Sequence, residues 1–423
     1  LDISGDIDVD GTTNLDVVDI DGAVDMASTL TLAGNADFNG DLDVDGTTET
    51  DALTINGSTF NYKTFGTNSF MIGDTTTGTI SGADGNTGVG VDVFEALTTG
   101  DNNVAIGLDA LTANSTGSNN TAVGKGALDA NTTASSNNAF GAASLTSNTT
   151  GTQNIAIGVS ALETNQTGDN NVAVGNNALN ANTAGNNTAV GHNALLLNST
   201  GDTNTAVGYQ ALDANTTGTN NVAVGDNALG ANTTAINNTA VGTQALAANS
   251  TGTENVAVGA NALDANTTAN ENTGVGHNSL TGATTGGQNT ALGAASGKVI
   301  STGTLNTAIG RAALQANTTA SNNTAVGGNA LKTNVTGTAN TAVGKDALEL
   351  NTGDNNTAVG LDAMTANTTG TQGTGVGVGA LTANTTGNYN SAFGYLAAGS
   401  ATTGQQNTAV GVEALFTQTT HSY

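Results

Sequence analysis

The residues best spaced for chemistry are aspartates. Asp6, Asp8 and Asp10, closed by Gly11, reproduce the first half of a calcium-binding EF-hand loop, and Asp41, Asp43 and Asp45, closed by Gly46, repeat it 35 residues later. The twelfth position of such a loop supplies a bidentate Glu, but here it is Val17 in one copy and Ala52 in the other. These six aspartates are the metal candidates of the chain. They are expected to be the acidic outward faces of strands, with calcium not required. Asp346 and Asp362 occupy equivalent places in successive repeats, about 5 Å apart if those repeats stack as strands, near the separation of a retaining glycosidase pair. No aromatic subsite accompanies them, and Asp92 and Asp109 repeat the same spacing. His192, His277 and His421 are too scattered for a triad or a metal cluster. Gly88-Val89-Gly90 and Gly375-Val376-Gly377-Val378-Gly379 have the look of nucleotide loops without a βαβ unit around them. The many Asn-x-Thr and Asn-x-Ser triplets are generated by a repeat. The chain is therefore expected to be non-enzymatic and to need no cofactor.

Outside the two aspartate runs and the tail, these residues are positioned by one repeat, typified by Asn120-Thr121-Ala122-Val123-Gly124 followed by Ala127-Leu128. Twenty anchor glycines, from Gly90 to Gly411, define it, and seventeen of the nineteen intervals are 17 residues long while two are 16. So strict a period marks a solenoid. Four before the anchor stands Asn in nineteen copies, two before it mostly Ala, and one before it an apolar residue in all twenty. Three after it comes Ala or Ser, with one Val; four after it Leu in sixteen copies; seven after it Asn in fifteen.

These columns predict two short strands per coil, Asn-Thr-Ala-Val-Gly and Ala-Leu-x-Ala-Asn, with a polar Thr/Gly/Asn loop between coils. Both 16-residue intervals lose their residue in that loop, where length variation belongs. Asn120, Val123, Gly124, Ala127 and Leu128 are read as structural residues. Val123 is expected inside the roll, whereas Thr132, in the loop, is expected to tolerate a charge. The Asn columns are expected to form amide ladders. Consecutive strand residues face opposite ways, so adjacent Ala and Val suggest burial on both faces and hence an oligomer. At about 4.8 Å per coil, residues 86–415 would make one parallel roll roughly 95 Å long.

The motif Asn-(Thr/Val)-Ala-(Val/Ile)-Gly-x-x-Ala resembles the YadA-like head repeat of trimeric autotransporter adhesins. That resemblance implies an all-β, left-handed parallel β-roll, or β-solenoid, assembled as a homotrimer. It further implies an extracellular fibre that attaches to a cell surface, matrix or glycan receptor, at a bacterial surface. Similar repeats occur in bacteriophage tail fibres, so a virion fibre is the alternative. A second alternative is an ice- or polysaccharide-binding solenoid, because regular Thr columns make flat polar arrays. The period here is longer than the usual family repeat. No neck, coiled-coil stalk or membrane anchor is seen, and the chain is read as a fragment or processed chain whose anchoring parts lie elsewhere.

Composition agrees with a solvated fibre. The 423 residues carry a formal net charge of −28 with six Lys and Arg, which excludes nucleic acid as a partner. There is no Cys, so no disulfide or thiolate site. No apolar run reaches transmembrane length, and direct membrane insertion is not expected. Residues 1–57 hold fourteen of the 34 acidic residues and alternate Asp with Ile, Leu or Val, which predicts an acidic β shaft. Residues 58–85 are read as a junction: Ser69-Phe70-Met71-Ile72-Gly73 as a degenerate capping coil, and Phe60, Tyr62, Phe65 and Phe70 as an apolar plug. Residues 416–423 are expected to be frayed.

Overall fold

A computed structural model describes residues 53–55, 58–60, 62–73 and 77–422. The expected acidic shaft and the candidate calcium ligands Asp6, Asp8, Asp10, Asp41, Asp43 and Asp45 lie outside the described residues. Strands β1 (Leu53–Ile55) and β2 (Ser58–Phe60) form a two-stranded sheet of their own. Then β3 (Tyr62–Phe65) turns back at Gly66–Asn68 and pairs antiparallel with β4 (Ser69–Gly73). From β4 onward every strand is parallel to the next, one per coil, from β5 (Thr87–Gly90) to β24 (Thr408–Val410). The first and last strands are not paired with each other among the described residues, so the sheet is an open stack: a β-solenoid of about twenty turns with no helix.

The register is kept throughout. In β7 (Thr121–Val123), Ala122 faces Ala105 on one side and Ala139 on the other. Each anchor glycine stacks on the next. Gly124 has φ of +137°, and a Cβ there would lie 2.5 Å from the Gly141 carbonyl oxygen. Dihedral and stacking distance both exclude a side chain at this column.

The second expected strand is not a strand. Between Gly124 and Asn131 the chain makes two successive turns, with Ala127 N–H donating to the Gly124 carbonyl at 3.3 Å and Asn131 N–H to the Leu128 carbonyl at 3.1 Å. Leu128 sits at φ +53°. A branched residue there costs about 1–2 kcal/mol, and the site offsets the cost by burying the whole side chain. Alternate N–H groups still reach the next coil, Leu128 to Ser144 at 3.1 Å and Ala130 to Thr146 at 3.0 Å. This side of the roll is thus a stack of turns rather than a second sheet.

The interior is narrow. It holds the Ala two before each anchor, the Ala or Ser and the Leu after it, and the two Asn columns, all essentially without solvent exposure. Val123 is not inside. Its strand places Ala122 inward and both Thr121 and Val123 outward, each half-buried. The same inward Ala or Gly and outward apolar residue recur along the roll. Small side chains face inward because Leu already fills the space between the layers.

Irregular coils are internally compensated. Gly297 stands where Leu is usual, and Ile300 where Asn is usual. A Cβ on Gly297 would meet the Ile300 Cδ1 at 3.0 Å, so the isoleucine fills the place of the missing leucine. Met364 replaces another Leu, and its Cε lies 2.6 Å from where a Cβ on Gly373 would be. Gly373 is the one break in the Asn column before the anchor.

At the N-terminal end Phe94 takes the Leu position and meets Phe65 edge-on, ring centroids 6.4 Å apart. Phe65 is buried, but Tyr62 and Phe70 are exposed, so the aromatic plug is smaller than expected. The last residues do not fray within the described part. Thr402 N–H donates to Thr419, Gln405 N–H to the Ser422 hydroxyl, and Asn407 Nδ2 to the His421 carbonyl. The tail supplies the loop of one more coil.

Candidate interaction surface

Four side-chain ladders run along the roll, and they decide which residues remain free to do anything else. In the first, the Asn before each anchor accepts the backbone N–H of its successor: Asn120 N–H donates to Asn103 Oδ1 at 2.9 Å and Asn137 N–H to Asn120 Oδ1 at 3.0 Å. In the second, the Asn after each anchor bonds amide to amide, as in Asn131 Nδ2 to Asn114 Oδ1 at 2.9 Å. Both converge on one carbonyl per coil, Ala134 receiving Asn120 Nδ2 at 2.9 Å and Asn131 Nδ2 at 3.1 Å. The expected amide ladders are therefore present, and they are buried and structural. Triplets such as Asn131-Thr132-Thr133 hide their amide nitrogen inside the roll.

The other two ladders were not read from the sequence. Hydroxyls next to the second Asn column each donate to the carbonyl one coil on, Ser115 to Thr132 at 3.0 Å and Thr132 to Thr149 at 3.2 Å. Thr132 is thus part-buried and bonded, not the indifferent loop residue expected. Farther round the loop, side-chain oxygens accept the N–H of the preceding coil: Asp101 takes Asp84 N–H at 2.8 Å and Ser135 takes Ser118 N–H at 3.0 Å. The recurrence of Asp, Ser, Thr and Asn six before the anchor was the available signal.

At the two short intervals the Asn columns touch. Asn187 Nδ2 reaches Asn182 Oδ1 at 3.2 Å, and Asn356 Nδ2 reaches Asn351 Oδ1 at 3.1 Å. Asn182 Nδ2 turns to the Ala184 carbonyl, which leaves Asn165 Oδ1 buried without a partner.

Among the described residues the chemistry candidates are not assembled into a site. Lys345 Nζ lies 2.6 Å from Asp346 Oδ2, and Asn329 Nδ2 donates to Asp346 Oδ1 at 2.9 Å. The Lys345 bond, then the Asn329 bond, hold the Asp346 carboxyl below its usual range, the opposite of what a general acid needs. His192 stacks on Tyr209 of the next coil, centroids 5.7 Å apart, and His277 is five coils away. No group of three potential metal ligands occurs among the described residues. A shallow polar hollow of about 250 Å³, lined by Thr268, Asn270, Glu271, Thr285, Gln288 and Thr304, opens where Gly287 omits a loop side chain. Its facing groups satisfy each other, Gln288 Nε2 donating to Glu271 Oε2 at 3.0 Å.

What remains is the outward face of the sheet. Its central column is apolar in all twenty coils, and each of these residues is half-buried or exposed, including Ile106, Phe140, Ile157, Leu292 and Phe393 at 40–48%. Thr or Val lies beside it in most coils. In several coils the position after the anchor is also apolar and exposed: Val91, Leu108, Val159, Leu361, Val378 and Val412, with Tyr209 and Tyr395. Soluble chains rarely expose so continuous an apolar stripe without a partner for it.

No protein-family description matches the sequence, and no curated protein matches it.

Proposed function

We propose that this chain is the rod of a non-enzymatic extracellular fibre, a left-handed β-roll packed as a homotrimer through its outward apolar stripe. Its repetitive remaining surface would attach to a cell-surface, matrix or glycan receptor. The single observation that carries this reading is the outward column of twenty apolar side chains. One copy leaves this column uncovered, and a second and third copy in the same register would cover it. The repeat motif supports the same reading through its resemblance to adhesin heads. A phage tail fibre would use the stripe identically and differ only in what the rod is joined to. An ice- or polysaccharide-binding solenoid needs its flat Thr column open to solvent, which trimer packing beside that column would restrict.

Light scattering tests the assembly. The reading expects three times the chain mass of 41.0 kDa, and a folded monomer would overturn it. Val224→Asp places a charge in the stripe, and the fold is expected to survive while the assembly dissociates. Ala223→Asp, one residue earlier and fully buried, is expected to abolish folding instead. Binding to cells or a glycan panel then tests attachment, and thermal hysteresis in its place would favour the ice-binding alternative.

A further inference from the structure

The turn side of the roll contains a column of carbonyls, those of the residue two after each anchor, most of which no backbone N–H reaches. In several coils a donor five after the next anchor caps them: Thr112 donates to the Asp92 carbonyl at 2.7 Å, Asn180 Nδ2 to Ser160 at 3.1 Å, and Thr365 to Asp346 at 3.1 Å, beside the Glu349 N–H at 3.3 Å. Thr146 does the same for Gly126. Asp129, Asp213 and Asp264 occupy this capping column in other coils. By register they stand over the carbonyls of Asp109, Asn193 and Gln244, none of which accepts a backbone N–H.

An ionised carboxylate cannot cap a carbonyl, since both groups only accept. The two other acids of the column that approach a partner have found one: Glu163 accepts from Asn180 Nδ2 at 2.8 Å, and Glu349 lies 3.5 Å from Lys332 Nζ. The three aspartates have no such neighbour, and Asp264 Oδ1 is buried with no hydrogen-bond partner. Thr112 cannot serve Asp129 fully, because its one proton already goes to Asp92.

We propose that Asp129, Asp213 and Asp264 are proton-operated latches: each, when protonated, donates to the carbonyl of the preceding coil as Thr and Asn do elsewhere, so that acid tightens the roll. The inference goes beyond the proposed function and stands on the coil geometry whether or not the chain attaches to anything. Burial raises all three carboxyls above the ordinary aspartate value of 3.8. At Asp129 the Asp109 charge adds to burial, and Thr112 opposes it. At Asp213 and Asp264 each residue's own N–H and the next one oppose burial, and no charged group contributes. The column neighbours there are Leu196 and Gly230, and Ala247 and Thr281. A raised folded value means that the folded roll binds the proton more tightly than the unfolded chain. The stabilisation is complete below about 3.8 and is lost as pH climbs through the raised folded value.

The test is Asp264→Asn, whose amide donates as Asn180 does, with Asp213→Asn as a second instance. Asp202→Asn, on the exposed loop, makes the same charge change outside the column. Melting temperature and amide exchange are followed from pH 7 to 3.5. At pH 7 each column variant is expected to melt higher than the parent and to slow exchange in its own coil about fivefold, the equivalent of one net hydrogen bond. Both differences should close as pH falls below about 4, while Asp202→Asn shows neither. A difference that does not change with pH, a column variant less stable than the parent at pH 7, or the same effect from Asp202→Asn would overturn the proposal.

Discussion

Replacing Asn221 by Ala, against the same change at Asn232, separates the roles of the two amide ladders. Asn221 Oδ1 accepts Asn238 N–H at 3.0 Å, and its Nδ2 donates to the Ala235 carbonyl at 2.9 Å. Asn221→Ala leaves one buried backbone N–H with no acceptor, at a cost of about 1–3 kcal/mol, and removes the Nδ2 bonds to Ala235 and to Asn204 Oδ1, the latter at 3.2 Å, together worth about 1 kcal/mol because both acceptors keep another donor. The Ala235 carbonyl itself keeps Asn232 Nδ2 at 3.2 Å. The sum is roughly 2–4 kcal/mol. Asn232→Ala orphans no backbone group: Asn215 Oδ1 loses its donor, while Asn249 Nδ2 keeps the Gly252 carbonyl at 2.9 Å. Its cost should be about 1–2 kcal/mol, and the column already contains Ala283 and Ile300. Coils depend chiefly on their neighbours, so the readout is amide exchange resolved by coil rather than a global midpoint. Asn221→Ala should speed exchange around Asn238 by roughly thirtyfold to several hundredfold, and distant coils should be unchanged. Equal local effects of the two substitutions, or a uniform loss along the roll, would refute the assignment of the backbone bond to the first ladder.

Three further outcomes are expected. Gly225→Ala forces a Cβ to 2.6 Å from the Gly242 backbone at φ +136° and should abolish soluble folded protein, whereas Gly328→Ala, with nothing within 4 Å, should leave the melting temperature within a degree or two of the parent; circular dichroism checks both. Gly373→Asn should destabilise on its own because Met364 occupies the space, and adding Met364→Leu should restore much of the loss, with a coupling of about 0.5–3 kcal/mol in a denaturation cycle. Addition of a chelator should leave the melting curve unchanged, since both aspartate half-loops lack their twelfth ligand; a large fall in melting temperature would show that the half-loops hold a stabilising cation without it.

The sequence by itself determined the period, the register and the location of length changes. Each follows from a column that recurs at constant spacing: stacking Gly124 on Gly141 leaves no room for drift, and a lost loop residue shifts nothing else. It also marked the Asn columns as ladders, because only a stacked amide meets its own kind at every turn. Which way the strand faces was decided by the tertiary structure. Hydropathy favours Val123 over Ala122 for the interior, but the interior beside Leu128 and two amide columns has room only for Ala, so the larger side chain is turned out and the apolar stripe appears on the surface. The turn at Leu128 was equally hidden, since a left-handed leucine is costly alone and becomes favourable only when the core receives its side chain. The Asn, Asp and Gly two after many anchors hinted at left-handed backbone there. The aspartate latches illustrate the same division: their column is legible in the sequence, but the uncapped carbonyl each one faces belongs to another coil, and only folding brings the two together.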